Sequence, residues 1–157
     1  MKRHDQNSNL YMHYDSDYLG SPVQVDKGPF IRQYLGALHG VVERALNQHC
    51  RVFAFRVDLR YPVGVDVSGW QCSNKVIEKF IGSFKAKIRH NREMALRVSG
   101  SAHYSAVRFV WAREIGQEGR PHYHMAILLN FDAFNALGKF ESGRDNMFNR
   151  LEQAWAS

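Results

Sequence analysis

The sequence lacks any apolar run long enough to cross a membrane. A membrane span needs about 18 consecutive apolar residues, whereas the longest run here, residues 125–129, suits a buried strand. The amino terminus begins Met1-Lys2-Arg3-His4-Asp5 and continues with polar residues, so a hydrophobic signal core is also missing. These absences predict a protein of the cytoplasm with no membrane partner.

Cysteine is scarce as well. Cys50 and Cys72 are the only two, too few and too far apart for a disulfide framework or a zinc knuckle, so two reduced thiols are expected.

Charge is unbalanced, with 21 Lys and Arg residues against 15 Asp and Glu residues and a formal net charge of +6. A basic balance is compatible with nucleic acid, but composition alone does not decide between partners.

The first half of the chain predicts a polar arm, a helix and a strand. Residues 1–28 are polar and contain Gly and Pro turn formers, which indicates an amino-terminal arm or edge segment. Pro29 suits a first helical turn, and apolar residues follow it at helical spacing. Residues 51–61 then alternate between apolar and charged side chains, the pattern of a half-buried strand.

The second half predicts a helix, a hairpin and a last helix. Ser73 can cap a long helix that ends near Ser99-Gly100. Residues 106–115 and 121–130 have strand patterns, and the connection between them has glycine at both ends, so they form an antiparallel hairpin. Residues 144–156 form the last helix.

The element order predicts an α+β fold. From residue 51 onward the order is β-α-β-β-α, five of the six elements of a split βαβ (ferredoxin/RRM-like) domain with an antiparallel sheet and helices packed on one face. With a 157-residue chain, one domain over residues 29–157 after the arm of residues 1–28 is expected. The fourth core strand is not accounted for by the pattern.

Side-chain alternation predicts which strand residues share a face. On the third strand Tyr123, Met125 and Ile127 belong to the bulky set that should face the helices, so the histidines face the other way. Phe53, Phe55 and Phe109 fall on the buried face, which argues against an exposed aromatic platform for stacked bases. The predicted open face gathers His122, His124, Glu114, Asp58, Arg56 and Arg60.

The two histidines predict a metal site. Imidazoles at positions i and i+2 of a rigid strand converge on one point, and Glu114 across the hairpin can complete a three-ligand site. Mixed nitrogen and oxygen ligands suit Mn²⁺ or Mg²⁺, with Zn²⁺ as an alternative. Asp58 is a candidate ligand or support for a ligand, and a salt bridge to Arg56 or Arg60 is an equal alternative. A His-x-His pair alone is also compatible with a purely structural role.

The residues around this pair resemble a known motif. The stretch Glu114-Ile115-Gly116-Gln117-Glu118-Gly119-Arg120-Pro121-His122-Tyr123-His124 resembles the metal-binding motif of HUH endonucleases, the rolling-circle replication initiators. Residues 53–62 resemble the strand motif that precedes it in that superfamily. Over residues 10–157 the chain most resembles the filamentous-phage (inovirus) replication proteins, including the YagK/YfjJ-type domains of prophages.

The resemblance implies a function. It implies nicking and strand transfer on single-stranded DNA, at an origin or hairpin, in a phage- or prophage-encoded protein that works with host replication machinery. A tyrosine hydroxyl attacks a DNA phosphate, with metal assistance. His122 and His124 would be metal ligands, with Glu114 as the third. Gln117 and Glu118 are weaker candidates because the turn holds them farther away.

The nucleophile of that reaction has no obvious counterpart. Initiators of this order carry the tyrosine on a helix downstream of the histidines, but no tyrosine follows Tyr123. Tyr123 itself should point into the core. The expectation is that the last strand and the tyrosine helix are missing from this chain, with Tyr11, Tyr14 and Tyr18 as weaker alternatives. A catalytically silent DNA-binding or regulatory remnant is therefore the second hypothesis.

Several cations are candidates for contacting DNA. Arg56 and Arg60 share the predicted metal face and can hold phosphates near the cation, and Arg120 adjoins the histidine motif. Lys85 and Arg89 lie on the second helix among other basic residues. For that helix a solvated face is the ordinary explanation, and contact with the DNA backbone is the alternative.

Overall fold

A computed structural model describes residues 2–69 and 73–157. The chain divides into two compact units, one reaching to Arg44 and the other running from Ala45 to Ser157. Within the described ranges, no helix has both the length and the apolar character that a membrane span requires. Cys50 is a free, exposed thiol, and the prediction for Cys72 lies outside the described residues.

The first unit contains short strands where the sequence predicts an arm. Three of them form one sheet in the order β1-β2-β5, and two others pair as β3-β4. Parts of the predicted arm thus form strands, a single short helical turn follows at Val25–Lys27, and the unit extends beyond the predicted boundary at residue 28. The strands are β1 (Arg3–His4), β2 (Asn7–His13), β3 (Asp17–Tyr18), β4 (Ser21–Pro22) and β5 (Phe30–Ile31).

The first helix, α1 (Arg32–Gln48), begins later than predicted. The sequence places Pro29 in its first turn, but Phe30 and Ile31 pair with β2 instead. Backbone pairing with a neighbouring strand and helical hydrogen bonding exclude each other, so α1 can start only after Ile31. The sequence around Pro29 does not reveal this pairing, because the partner strand is distant in sequence.

The second unit has a three-stranded antiparallel sheet and two helices. The strand order is β6-β8-β7, and β8 is antiparallel to both neighbours. In the chain, α2 connects β6 to β7. In the sheet, β8 lies between these two strands. These elements are β6 (Val52–Arg60), α2 (Lys75–Ser99), β7 (Arg108–Ile115), β8 (Pro121–Asn130) and α3 (Met147–Trp155).

This arrangement confirms the predicted α+β class. The element order and most boundaries follow the prediction, and α2 ends at Gly100, which adopts the left-handed conformation. α3 begins at Met147 rather than near residue 144 because Asn146 caps it, its side chain accepting a hydrogen bond from Asn149 N–H. The sheet has three strands in the described ranges, and the finer assignment to a split βαβ, ferredoxin-like topology stays a prediction.

The core lies on one face of this sheet. Tyr123, Met125 and Ile127 of β8 are buried against α2 and α3. The α2 residues that meet them recur at helical spacing, and Phe53, Phe55 and Phe109 pack against the same cluster, as predicted. Because successive side chains of a strand point to opposite faces, the alternate residues of β8 are left on the open face. The buried α2 residues are Ile77, Phe80, Phe84 and Ile88.

The hairpin that joins β7 to β8 fixes the register of that open face. Its connection is closed by backbone hydrogen bonds from Gly116 N–H to the Arg120 carbonyl and from Gly119 N–H to the Gly116 carbonyl, both 2.9 Å. Gly119 has φ of +71°, which favours glycine. The turn therefore sets Glu114 opposite His122.

Candidate metal centre

Cross-strand pairing brings the predicted residues onto one face. His122 of β8 lies opposite Glu114 of β7 and Arg60 of β6. His124, two residues further, lies opposite Asp58 of β6 and Ala112 of β7. Directly opposed residues in an antiparallel pair point to the same side of the sheet. The alternation predicted from the sequence is thus confirmed across all three strands.

Glu114, His122 and His124 form a compact cluster. The Nε2 atom of His124 lies 2.8 Å from Oε2 of Glu114, and Nε2 of His122 lies 3.3 Å from the same oxygen. One ligand atom from each of the three residues falls within 4.8 Å of the other two. Donors around a single ion at ligand distances of about 2.2 Å are separated by at most about 4.4 Å. Small side-chain adjustments would therefore suffice to hold one ion.

The donor set fits a divalent metal ion chemically. Two imidazole nitrogens and one carboxylate oxygen suit Mn²⁺, Zn²⁺ and related ions. The Glu114 side chain is 61% exposed, whereas those of His122 and His124 are 14% and 28% exposed. The histidines are thus held by the sheet while the carboxylate faces solvent, and a metal held there could accept further ligands from that side.

Asp58 supports His124 from the other strand. Nδ1 of His124 lies 2.8 Å from Oδ1 of Asp58, and the Arg56 guanidinium holds both oxygens of Asp58 at 2.9 and 3.0 Å. A hydrogen bond from Nδ1–H to a carboxylate fixes the imidazole ring and leaves Nε2 as the free donor, a common support for metal-binding histidines. Both sequence alternatives for Asp58, support of a ligand and a salt bridge to Arg56, occur together.

The pKa values in the cluster follow from these contacts. The pKa of Asp58 is held below its usual range, mainly by the hydrogen bond to His124 and to a smaller extent by the hydrogen bond to Arg56. A hydrogen bond to His124, followed by the electrostatic influence of His122, lowers the pKa of Glu114. The pKa of His124 is raised by its hydrogen bond to Asp58 and, to a smaller extent, by its hydrogen bond to Glu114. A metal ion and a proton would therefore compete for Nε2 of His124.

Removing the Asp58 carboxylate should weaken metal binding without removing a ligand. We expect Asp58→Ala to lower Mn²⁺ affinity by about 10- to 100-fold, because the His124 ring loses the hydrogen bond that orients it. Asp58→Asn keeps an acceptor oxygen and should lose less. Isothermal titration with MnCl₂ measures the change. Asp66→Ala is the matched control, since its carboxylate accepts from Ser68 N–H in the loop after β6; equal losses in both alanine variants would refute this role of Asp58.

The predicted phosphate-binding arginines differ in what they contact. Arg60 is exposed and lies opposite His122. Arg56 is exposed too, but its guanidinium is bound to Asp58. Arg120 donates to the carbonyls of Pro62 and Val65 at 2.8 and 3.0 Å. Arg120 therefore holds the loop after β6, a contact that sequence reasoning missed because no periodicity signals where loop carbonyls lie.

Lys85 and Arg89 do not join the cluster. Lys85 and Arg89 are on α2, which packs on the opposite side of the sheet from the histidines. Tyr11, Tyr14 and Tyr18 belong to the first unit. Tyr14 is exposed, whereas Tyr18 stacks edge-on with His13.

Tyr123, between the two histidines, faces the core as predicted. Its side chain is 0% exposed. The ring packs edge-on against Trp111 and Trp155 at centroid distances of 5.8 and 6.2 Å. A phenol enclosed in this way cannot meet a DNA phosphate, so Tyr123 serves packing.

The fold and site together define an α+β domain that carries a candidate metal centre on an open sheet face. The chain belongs to the YagK/YfjJ C-terminal domain family, whose model matches residues 15–157.

Two Escherichia coli (strain K12) proteins are similar to this chain. YfjJ is 26% identical over 153 residues, which cover 93% of this chain and 69% of YfjJ. YagK is 30% identical over 135 residues, which cover 83% of this chain and 64% of YagK. Both are described as uncharacterized proteins. No solved structure matches the chain.

Proposed function

We propose that this domain is a metal-dependent nuclease that nicks single-stranded DNA and transfers the strand at a replication origin. The observation that carries the proposal is the Glu114, His122 and His124 cluster on an open sheet face. The resemblance of residues 114–124 to the HUH motif supports it and makes Mn²⁺ or Mg²⁺ the expected ion. The net charge of +6 is in keeping with a nucleic-acid partner.

The chain's own residues would divide the work as follows. Glu114, His122 and His124 would hold the ion, which supplies polarisation of the scissile phosphodiester when bound. Asp58 would orient His124, and Arg56 would keep Asp58 in place. Arg60 is the best placed of the predicted arginines to bind the DNA phosphate, since it is exposed and directly opposite His122.

The setting implied by the resemblance also belongs to this proposal. It comprises an origin or hairpin as the DNA substrate, host replication proteins as partners, and the cytoplasm of a bacterium that carries the phage or prophage.

A second candidate function is DNA binding without cleavage. The observation that favours it is the burial of Tyr123 together with the lack of any tyrosine after it in the sequence. For the nuclease, the nucleophile would have to be Tyr11, Tyr14 or Tyr18, or lie outside these 157 residues. Without it the domain would hold metal and DNA as a regulatory protein.

A nicking assay separates the two candidates. The protein is incubated with end-labelled random-sequence single strands and MnCl₂, and the products are resolved under denaturing conditions. A nuclease gives shortened strands or a covalent protein–DNA adduct, and EDTA or the His122→Ala, His124→Ala double variant removes them. DNA binding with no metal-dependent product supports the second candidate. No salt-sensitive DNA binding at all would refute both.

A further inference from the structure

A cavity of about 510 Å³ lies between α2 and the segment before β7. It is lined by α2 residues from Lys85 to Leu96 and by residues 102–107. Lys85 also contacts Phe109, which packs with the core on the helix side of the sheet. Along β7 the start of the strand and Glu114 are separated by about 20 Å, at about 3.3 Å per residue. The cavity is therefore distinct from the candidate metal centre.

The α2 wall of the cavity is positively charged. Lys85 lines the cavity, and its Nζ atom lies over the Phe109 ring at 5.0 Å, a cation–π contact that restrains the ammonium group. Arg89 is one helical turn further, with a side chain that is 75% exposed. Its Nε atom is 3.9 Å from Glu93, a separation too long for a hydrogen bond. Arg89 can therefore donate to another anion.

A third cation forms the inner part of this wall. The Arg92 guanidinium lies 4.4 Å from the centre of the Phe134 ring and donates to the side-chain oxygen of Asn91. With Glu93 as the single acid among the lining residues, three permanent cations face the cavity against one anion. This charge selects an anionic ligand.

The opposite wall offers aromatic rings. Tyr104 is 67% exposed, and it lines the cavity together with His103. The backbone beside it is fixed, because the Tyr104 carbonyl accepts from the Asn130 amide at 2.7 Å and Ser105 Oγ accepts from Asn130 N–H at 2.9 Å. Tyr104 is thus an exposed ring on an anchored segment rather than on a free loop.

We infer that this cavity, here called the α2 groove, is a second binding site for single-stranded DNA. Lys85 and Arg89 would hold backbone phosphates, and a base would stack on Tyr104. Cations along one side and an aromatic ring on the other are what single-strand binding uses. The volume falls within the range of about 300–1,000 Å³ of sites that enclose small organic ligands, so it can take a nucleotide unit.

The inference rests on the proposed function only in naming DNA as the polymer. An acidic peptide could satisfy the cations but would gain nothing from the exposed ring. The groove needs no metal, so its DNA binding should persist in EDTA. That property allows the groove and the metal centre to be tested separately.

The test measures oligo(dT) binding by fluorescence anisotropy in EDTA over a range of salt concentrations. Lys85→Gln with Arg89→Gln removes the two phosphate contacts, and Lys79→Gln with Arg97→Gln is the control. The control pair removes the same charge from the same helix at residues that do not line the cavity. The salt slope is the slope of log K for oligo(dT) binding against log salt concentration. The groove variant should reduce its magnitude by about 1.4, since each phosphate contact to a single strand contributes about 0.7. The control should leave the slope unchanged.

Substitution of Tyr104 tests the stacking. Tyr104→Ala should weaken oligo(dT) binding about fivefold or more, whereas Tyr104→Phe keeps the ring and should bind like the parent. Equal losses in the groove and control pairs would overturn the inference. The inference would also be overturned if the Lys85→Gln, Arg89→Gln pair weakened oligo(dT) binding while Tyr104→Ala did not. The groove would then recognise charge alone, and any polyanion, including an acidic peptide, could bind there.

The metal-site variant separates this inference from the proposed function. His122→Ala with His124→Ala should bind oligo(dT) in EDTA as the parent does, and the groove variants should keep the parent's Mn²⁺ affinity. A groove that binds DNA in a protein without nicking activity would uphold the inference and refute the nuclease. Nicking activity that survives in groove variants with unchanged DNA affinity would refute the inference alone.

Discussion

Replacing both His122 and His124 by alanine should abolish Mn²⁺ binding. The two imidazoles supply two of the three donors in the cluster, and Glu114 alone is an exposed carboxylate. Loss of a residue that merely supports a ligand already costs about 10- to 100-fold in affinity. We therefore expect more than about a 100-fold loss for two ligands. Isothermal titration with MnCl₂ measures it.

The control for this experiment is His90→Ala. His90 is an exposed histidine on α2 and no part of the cluster, so its removal should leave Mn²⁺ affinity unchanged. Thermal unfolding of the double variant should remain cooperative, because both histidines lie on the open face rather than in the core. A well-folded double variant with the parent's Mn²⁺ affinity would refute the metal centre.

Truncating Tyr123 should have the largest effect on stability. We expect Tyr123→Ala to lower the free energy of unfolding by about 3–5 kcal/mol, as for other buried aromatic residues. The ring fills the space against Trp111 and Trp155 and is fully buried. Denaturation by guanidinium chloride, followed by tryptophan fluorescence, measures the change.

Tyr123→Phe distinguishes packing from catalysis. It keeps the ring, so the free energy of unfolding should change by no more than about 1.5 kcal/mol, the usual contribution of one hydrogen bond. Metal binding should be retained, since the neighbouring histidines point to the other face. A folded Tyr123→Phe protein that has specifically lost a nicking activity of the parent would contradict the assignment of Tyr123 to the core.

Strand alternation predicts which residues share the open face that carries the candidate site. Once Tyr123 and Met125 were assigned to the core, the period of two placed His122 and His124 on the opposite face. The glycine-bounded connection then set Glu114 across from His122. These relations are local or nearly so, and they depend on covalent geometry that every strand shares.

The contacts of long charged side chains were less predictable. Arg120 was expected at DNA phosphates, but it holds the carbonyls of Pro62 and Val65. For Lys85 and Arg89 the sequence allows a solvated face or DNA contact, and the structure places them on the other side of the sheet from the histidines, at the α2 groove. A flexible side chain reaches several partners, and the sequence does not show which backbone atoms will be near.

Long-range pairing accounts for the errors in the first unit. Four of the strands, β1, β3, β4 and β5, have two residues each, too few for any alternation, and the seven residues of β2 (Asn7–His13) do not alternate between apolar and polar side chains. Tyr104 and His103 carry no signal in the sequence either, because they line a cavity only through the packing of α2 beside their segment. Such features depend on the folded arrangement of distant segments.

Anomalous X-ray scattering can locate Mn²⁺ bound at the candidate metal centre. Crystals grown with MnCl₂ should show one strong anomalous peak within about 2.2 Å of donor atoms from Glu114, His122 and His124. The peak should be missing from crystals of the His122→Ala, His124→Ala variant. Well-ordered parent crystals with no ion at these three residues, or with Mn²⁺ bound only elsewhere, would contradict the account.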